Sequence, residues 1–251
     1  MVLETAREEN KLSRGSSMSP GQRVSAGDGA IAAPKTVDDC LEIVVSWIER
    51  RLGKSYFVRP LEAFQTKFGK VNPEDDFYQT RMNYFLEHCV LECPLDDHVG
   101  SQSLISGFFE ENAHLTSGDE PASAIWRAFC GFRHSLFQVI KTGADSIEVR
   151  DLIANKTLRI QSKAGETLKY LSKKSIFQGY VFGHHALYSL GQGLILHPEL
   201  ANAEILKYMW QHHRYPQVAS GEITRRLAQT NMRYLRMQHV NPAVIYHGIL
   251  A

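Results

Sequence analysis

Two cysteines and two histidines near the middle of the chain have the residue types of a zinc site. Cys89 and Cys93 are four residues apart, so a helix places both thiols on one side, and His98 beyond Pro94 would join them and His88 as a ligand. The alternative is that both thiols are packed in the core, because cysteine is among the most buried residue types. We favour packed thiols and predict no metal or other cofactor, with Cys89, Cys93 and His98 as the residues that a zinc measurement would test.

Two histidine pairs and one aspartate have the residue types of acid–base catalysis. A neutral imidazole near pH 7 can accept a proton or bind a metal, which applies to His184-His185 and to His212-His213. Neighbours in a strand point to opposite faces, so we expect one of His184 and His185 to face the core and the other to face solvent. Asp151 is expected to cap a hairpin turn rather than to act as a base. We therefore predict no catalytic residue.

Short motifs of the common nucleotide-dependent and hydrolytic mechanisms are missing from the sequence. It contains no Gly-x-x-x-x-Gly-Lys-Ser/Thr loop, no Gly-x-Ser-x-Gly elbow and no His-Glu-x-x-His helix. Gly191-Gln192-Gly193 is too short to cradle a phosphate, and we expect it to form a hairpin turn between two strands.

Four arginines near the C-terminus are predicted to bind a partner. In a helix that begins at Ser220, the 100° spacing places Arg225, Arg226, Arg233 and Arg236 in one arc opposite an apolar face. Closely spaced guanidinium groups repel one another and suit an anionic partner, such as an acidic protein surface, a phosphate backbone or a second copy of this chain. The alternative is a solvated basic face, or arginines that pair with acidic residues of the same chain.

Charge is unevenly distributed along a chain that is nearly neutral overall, with 28 basic and 27 acidic residues among 251. Residues 74–120 contain eleven acidic side chains and Arg81 alone, whereas residues 121–251 contain 16 basic and 7 acidic ones. The acidic segment would repel nucleic acid, so an anionic partner is expected to meet the C-terminal half. The alternative is two charged faces that only maintain solubility.

Composition predicts a folded cytoplasmic protein. Hydrophobic residues make up 43% of the chain and charged residues 22%, which excludes the fibrous, wholly disordered and membrane-spanning classes. We expect neither a membrane anchor nor a secretory signal, because no apolar stretch approaches ~20 residues and the N-terminus has no apolar signal region. Four cysteines are too few for a disulfide scaffold, which agrees with a reducing compartment.

The spacing of apolar residues predicts an α+β protein in four parts. A disordered tail is expected over residues 1–35, which contain no aromatic side chain. A helical domain is expected over 36–131, since apolar residues there recur at helical spacing. Six short strands over 132–197 predict a small antiparallel β meander or partly closed barrel, and the helical spacing returns over 198–251 as a C-terminal arm.

Finer boundaries follow from capping residues and from Pro and Gly. Helices are expected over 36–53, 61–68, 73–93, 101–111 and 121–130 in the helical domain. Trp126 and Phe129 lie on the helix that leads into the first strand, so we expect both rings to pack on the β unit.

Several short stretches resemble a group of uncharacterised bacterial proteins that pair a helical segment with a small β region. The helical part contains Tyr84-Phe85-Leu86-Glu87 and Leu91-Glu92-Cys93-Pro94-Leu95, and the β part contains Arg133-His134-Ser135-Leu136-Phe137-Gln138-Val139 and Val149-Arg150-Asp151-Leu152. Some members carry a zinc-binding SEC-C motif, whose cysteine and histidine cluster this sequence lacks. The resemblance covers about residues 80–198, and it implies a fold rather than an activity.

These observations favour a non-catalytic protein-interaction or adaptor protein with an anionic partner. The first alternative is a nucleic-acid-associated protein that uses the basic C-terminal half, and the second is a metal-dependent enzyme built on the histidines. Self-association is a further option, and no membrane partner is expected. A continuous basic groove would favour the nucleic-acid-associated protein. An exposed apolar patch beside charged residues would favour the adaptor, and a deep polar pocket would favour the enzyme.

Overall fold

A computed structural model describes residues 31–94, 102–161, 167–184, 187–214 and 219–249. All the elements below belong to one unit, Ala32–Ala251. The tail predicted over residues 1–35 lies almost wholly outside the described residues. No helix in the described part of the chain is both long and apolar enough to cross a bilayer.

Six α-helices form the N-terminal part. The first begins after Thr36, whose hydroxyl accepts from the backbone N–H of Asp39 while the Asp39 carboxylate accepts from the backbone of Thr36, which is a capping box. It ends at Gly53, whose φ of +86° favours glycine. The six helices are α1 (Val37–Leu52), α2 (Val58–Phe68), α3 (Tyr78–Glu92), α4 (Leu104–Glu111), α5 (His114–Ser117) and α6 (Pro121–Cys130).

Helix α3 begins later than the sequence predicts. A start at Pro73 was expected. However, the Asp75 carboxylate accepts hydrogen bonds from the backbone N–H of Asn72 and from both Nη atoms of Arg236. These contacts hold residues 72–77 in turns, so the helix begins only at Tyr78.

Five strands form a mixed sheet that closes into a ring in the order β1-β2-β3-β5-β4. Neighbouring strands are antiparallel except β3 and β5, which pair in parallel through Ile160 and Tyr188. Alternating side chains point into the ring and form an apolar core that includes Phe137, Val149 and Phe177. The strands are β1 (Arg133–Thr142), β2 (Ser146–Asp151), β3 (Lys156–Gln161), β4 (Ile176–His184) and β5 (Leu187–Leu196).

The hairpin turn predicted at Gly191-Gln192-Gly193 is wrong, and five strands replace the expected six. These residues lie inside β5, where α3 packs directly on the strand. A Cβ atom added at Gly193 would overlap the backbone of Tyr84, and one at Gly191 would overlap the Glu87 carboxylate. The two glycines therefore allow close approach of a helix.

The described residues after β5 form three α-helices: α7 (Asn202–Arg214), α8 (Ser220–Arg236) and α9 (Pro242–His247). Their apolar faces form a second core with the outer side of the sheet, which includes Ile205, Ile223 and Leu227 from the helices and Leu136 and Ile176 from the strands. The α+β architecture with a helical N-terminal region, a small β unit and a helical C-terminal arm is therefore confirmed, apart from the parallel pair of strands.

Helix α6 carries two aromatic rings that were both expected to pack on the β unit. Phe129 is fully buried and stacks on Phe182 of β4, with ring centroids 5.4 Å apart. Trp126 is also buried, but its ring packs against Phe108 and Phe109 of α4. The prediction is confirmed for Phe129, whereas Trp126 joins the helices to one another.

Candidate functional site

The four predicted partner-binding arginines are divided by their ion pairs. Arg225 and Arg226 both bond to Glu222, and their hydrogen bonds lower the pKa of that carboxyl to about 2. Arg236 pairs with Asp75 at 2.6 Å, which is a contact with the acidic segment of the same chain. Of these four arginines, Arg233 alone has no ion pair within the described ranges. The charges of the other three are partly neutralised.

Two of the three predicted metal candidates, Cys89 and Cys93, belong to the described residues and contact each other. Cys89 is fully buried and its thiol donates a hydrogen bond to the sulfur of Cys93, which lowers the pKa of Cys93 to about 7. His98 lies outside the described residues. The two thiols therefore hydrogen-bond to each other. The nearby histidines His88 and His134 instead contact the carboxylate of Glu92.

Asp151 caps a turn, as predicted. Its Oδ1 accepts from the Ser135 hydroxyl at 2.5 Å and from the backbone N–H groups of Ile153 and Ala154 at 3.0 and 2.9 Å. These bonds occupy the carboxylate and hold the turn between β2 and β3.

The structure describes the side chains of only one of the two predicted histidine pairs, His212-His213. In the second pair, the Nε2 of His213 lies 2.7 Å from the carbonyl oxygen of Leu152, and burial lowers the pKa of His212. The side chain of His184 and the whole of His185 lie outside the described part.

A polar cluster lies where α3 meets the sheet. His88 and Glu92 are four residues apart on α3 and face His134 near the start of β1. The Nδ1 atoms of His88 and His134 lie 3.2 and 2.7 Å from the Glu92 carboxylate. We call this group the α3–β1 cluster, and it consists of Tyr84, His88, Glu92, His134, Gln178 and Tyr180.

Hydrogen bonds orient every polar group of the α3–β1 cluster that faces Glu92. The Tyr180 hydroxyl donates to Glu92 at 2.7 Å, and its ring stacks on His134 with centroids 4.4 Å apart. The Nε2 of His134 lies 2.6 Å from the Tyr84 hydroxyl, which accepts in turn from the Gln178 amide at 2.6 Å. The positions of these residues are therefore fixed by both packing and hydrogen bonds.

Electrostatics keep the partly exposed Glu92 ionised. Burial raises the pKa of its carboxyl, but the hydrogen bonds from His134 and His88 outweigh burial and leave this pKa well below its ordinary value. Burial raises the pKa of Tyr84 and Tyr180 far above their ordinary range, so both hydroxyls stay protonated. The cluster thus presents one negative charge between two imidazoles.

A basic groove lies beside the start of β1, along the first residues of β3. It has a volume of about 560 Å³, and cationic side chains from two strands line it. Glu148 is the acidic residue in its wall, across the β2–β3 pair from Arg159. We call it the basic groove, and its lining residues are Arg133, Glu148, Lys156, Thr157, Leu158, Arg159 and Tyr188.

Strand pairing explains why the sheet is open at the basic groove. β2 pairs with β1 only from Phe137 onward, so the first residues of β1 have a strand on one side alone. Arg133 at the start of β1 and Lys156 at the start of β3 therefore flank an opening. No ion pair within the described residues neutralises Arg133, Lys156 or Arg159.

No protein-family model, no curated protein and no solved structure matches the chain. The geometry of the two sites therefore carries the functional argument.

Sequence reasoning missed both sites for different reasons. His88 and Glu92 have the i, i+4 spacing that places them on one helix face, and this signal is readable in the sequence. Their partner His134 is 42 residues beyond Glu92, and no local pattern connects them. The basic groove combines residues from β1, β2, β3 and β5, and Lys156 and Arg159 read in isolation as ordinary charges of an exposed strand.

Proposed function

We propose that the protein binds single-stranded nucleic acid through the basic groove. The observation that carries this proposal is the group of three cations, Arg133, Lys156 and Arg159, on an open face of the β unit. Three positive charges against Glu148 leave a surplus that attracts phosphates, and phosphate contacts dominate the affinity of nucleic-acid binding proteins.

The lining residues of the basic groove favour a single strand over a duplex. Single strands are bound in positively charged grooves beside aromatic rings on which bases stack, and Tyr188 supplies such a ring in the wall. Small five-stranded barrels bind oligonucleotides on the face of their second and third strands, and five of the seven lining residues belong to β2 and β3. The likeness to such barrels is one of fold alone, and the three cations of the groove are what support nucleic-acid binding.

The test compares two triple variants of the full-length chain. The groove variant changes Arg133, Lys156 and Arg159 to Gln, and the matched control changes Arg225, Arg226 and Arg233 of α8 to Gln. A fluorescent single-stranded oligonucleotide is titrated with each protein at several salt concentrations, and anisotropy gives the affinity. Circular dichroism confirms that each variant is folded.

We expect the groove variant to lose at least ~10-fold in affinity, and the control variant to bind nearly as well as the wild type. The slope of log affinity against log salt should become shallower by about 2, since three phosphate contacts to a single strand contribute about 0.7 each. Unchanged binding by the groove variant, or loss confined to the α8 variant, would refute the proposal.

A second candidate is the protein-interaction role, because α7 and α9 expose an apolar stripe. Leu206, Trp210 and Val244 are 37%, 58% and 66% exposed, and the guanidinium of Arg214 lies over the Trp210 ring. Such exposed patches mark contact surfaces of soluble proteins. The same titration separates the two roles, since a protein that binds no oligonucleotide at low salt leaves the apolar stripe as the remaining candidate.

A further inference from the structure

We propose that His88, Glu92 and His134 form a zinc site, in which the Nδ1 atoms of both histidines and the Glu92 carboxylate bind the ion. This site is separate from the basic groove and does not involve the cysteines. The three ligand atoms lie within 4.8 Å of one another.

The spacing of the three groups suits a tetrahedral ion. With zinc bonds of about 2.0–2.1 Å, two ligands of a tetrahedral site are ~3.3 Å apart. The Nδ1 of His88 lies 3.2 Å from Oε2 of Glu92, which matches this spacing, and the Nδ1 of His134 lies 2.7 Å from Oε1. A small movement of His134 away from Glu92 would open the space for the ion.

The chemistry of the ligands favours zinc over hard cations. Two imidazoles and a carboxylate are the ligand set of many zinc and transition-metal sites, whereas calcium and magnesium prefer oxygen ligands alone. The Tyr180 hydroxyl lies 3.1 Å from the Nδ1 of His88 and 2.7 Å from Oε1 of Glu92, so it is a neighbour of two of the three ligand groups.

Partners in a second layer support metal binding by His134. A histidine that binds a metal through one nitrogen usually holds its other N–H in a hydrogen bond. The Nε2 of His134 already bonds to Tyr84. On metal binding, the His134 proton would move from Nδ1 to Nε2 and be donated to the Tyr84 oxygen.

Gln178 can accept the hydrogen bond that the Tyr84 hydroxyl no longer donates to His134. The Oε1 of Gln178 is buried and has no hydrogen-bond partner among the described residues, whereas Nε2 donates to the Tyr84 hydroxyl. A flip of the amide exchanges the two atoms, so that Tyr84 donates to Oε1. The His134 imidazole and the Tyr84 hydroxyl therefore each keep one proton in the metal-bound form, and the Nδ1 proton of His88 would likewise move to its Nε2.

Burial and charge admit a cation from one side. The side chains of His88 and His134 are 8% and 9% exposed, while that of Glu92 is 31% exposed, so the carboxylate faces the route of entry. His88 and Glu92 also belong to the acidic segment of residues 74–120, which attracts cations.

The experiment measures metal binding by the full-length chain with zinc chloride and cobalt chloride. Purified wild-type protein is treated with chelator, dialysed, titrated by calorimetry and analysed for bound zinc by atomic spectroscopy. Glu92→Gln and His134→Asn remove one ligand each with little change in volume. The double variant Cys89→Ala/Cys93→Ala tests the thiols. His247→Ala tests a surface histidine that lies 3.2 Å from Glu204, with no third ligand in the described part of the chain.

We expect about one zinc ion per wild-type chain, below about 0.1 in Glu92→Gln and His134→Asn, and no loss in the cysteine and His247 variants. The cobalt spectrum should show tetrahedral d–d bands without thiolate charge transfer. Long-range ¹⁵N–¹H spectra should show the His134 proton move from Nδ1 to Nε2, which hydrogen bonding alone would not produce. Wild-type protein with less than about 0.1 zinc per chain, or zinc lost only with the cysteines, would overturn the proposal.

Discussion

Replacing Gly193 by Ala tests the contact on which the position of the α3–β1 cluster depends. Gly193 lies in β5 directly under α3, and an added Cβ would overlap the backbone N and Cα atoms of Tyr84 and lie 2.7 Å from Oε2 of Glu87. The backbone of a helix cannot turn away as the end of a flexible side chain can. Helix and strand must therefore separate.

The size of the expected loss of stability follows from the overlap between the added Cβ and the backbone of Tyr84. Carbon atoms pack at about 3.5–4.0 Å, so α3 must withdraw by about 1 Å or more at this point. Overpacking a core costs about 1–3 kcal/mol, and a clash between backbones falls at or above the top of this range. Two hydrogen bonds from the backbone N–H groups of Gln192 and Gly193 to Glu87 would also lengthen.

Thermal unfolding gives the measurement, with Gly221→Ala as the matched control. Gly221 lies in α8, and nothing lies within 4 Å of an added Cβ, so alanine there should be neutral or stabilising by up to about 1 kcal/mol. For a domain of this size, a loss of about 3 kcal/mol lowers the melting temperature by about 6–12 °C. If Gly193→Ala melts within ~2 °C of the wild type, α3 does not pack on β5 as described and the reasoning is refuted.

Two further perturbations test the cores. Trp126→Ala should cost ~3–5 kcal/mol in urea unfolding, because Trp126 is 1% exposed and its ring fills the space beside Phe108; a near-neutral effect would show that the helices do not pack around this ring. Burial, reinforced by the charge of Arg81, lowers the pKa of His197 from 6.5 to about 3, so only the unfolded state takes up a proton as the pH falls through this interval. Stability contributed by neutral His197 is therefore complete above about pH 6.5 and falls by up to ~1.4 kcal/mol per pH unit below it, and His197→Gln should remove that slope between pH 6.5 and 5. An equal slope in the variant would contradict the buried neutral histidine.

The sequence predicted those elements whose signals are local. Thr36 and Asp39 mark the start of α1, and the run of apolar, aromatic and β-branched residues from His134 to Lys141 marks β1. The turn at Asp151 was also predicted, because its carboxylate bonds to residues two and three positions onward. In each case the atoms that stabilise the element lie within a few residues of it.

Errors arose where a distant contact overrides a local signal. Gly191 and Gly193 have the composition of a turn, and only the presence of α3 above β5 makes them strand residues. Asn72-Pro73-Glu74 has the composition of a helix start, but Arg236, more than 150 residues away, binds Asp75 and favours a turn. The partners of the α3–β1 cluster are likewise set by the docking of α3 on the sheet, which no single segment encodes.

The two proposed sites differ in what holds them, and Gly193→Ala can separate them. His88 and Glu92 lie on α3, whereas His134 lies on β1, so withdrawal of the helix from β5 increases the distance between ligands of the zinc site. All the residues of the basic groove belong to strands, and none belongs to α3. In folded Gly193→Ala protein at low temperature, zinc affinity should therefore fall while oligonucleotide affinity stays within ~2-fold of the wild type, since contacts distant from a changed position respond independently. Loss of both activities together would show that the groove depends on the docking of α3, and the assignment of the groove to the strands alone would then be wrong.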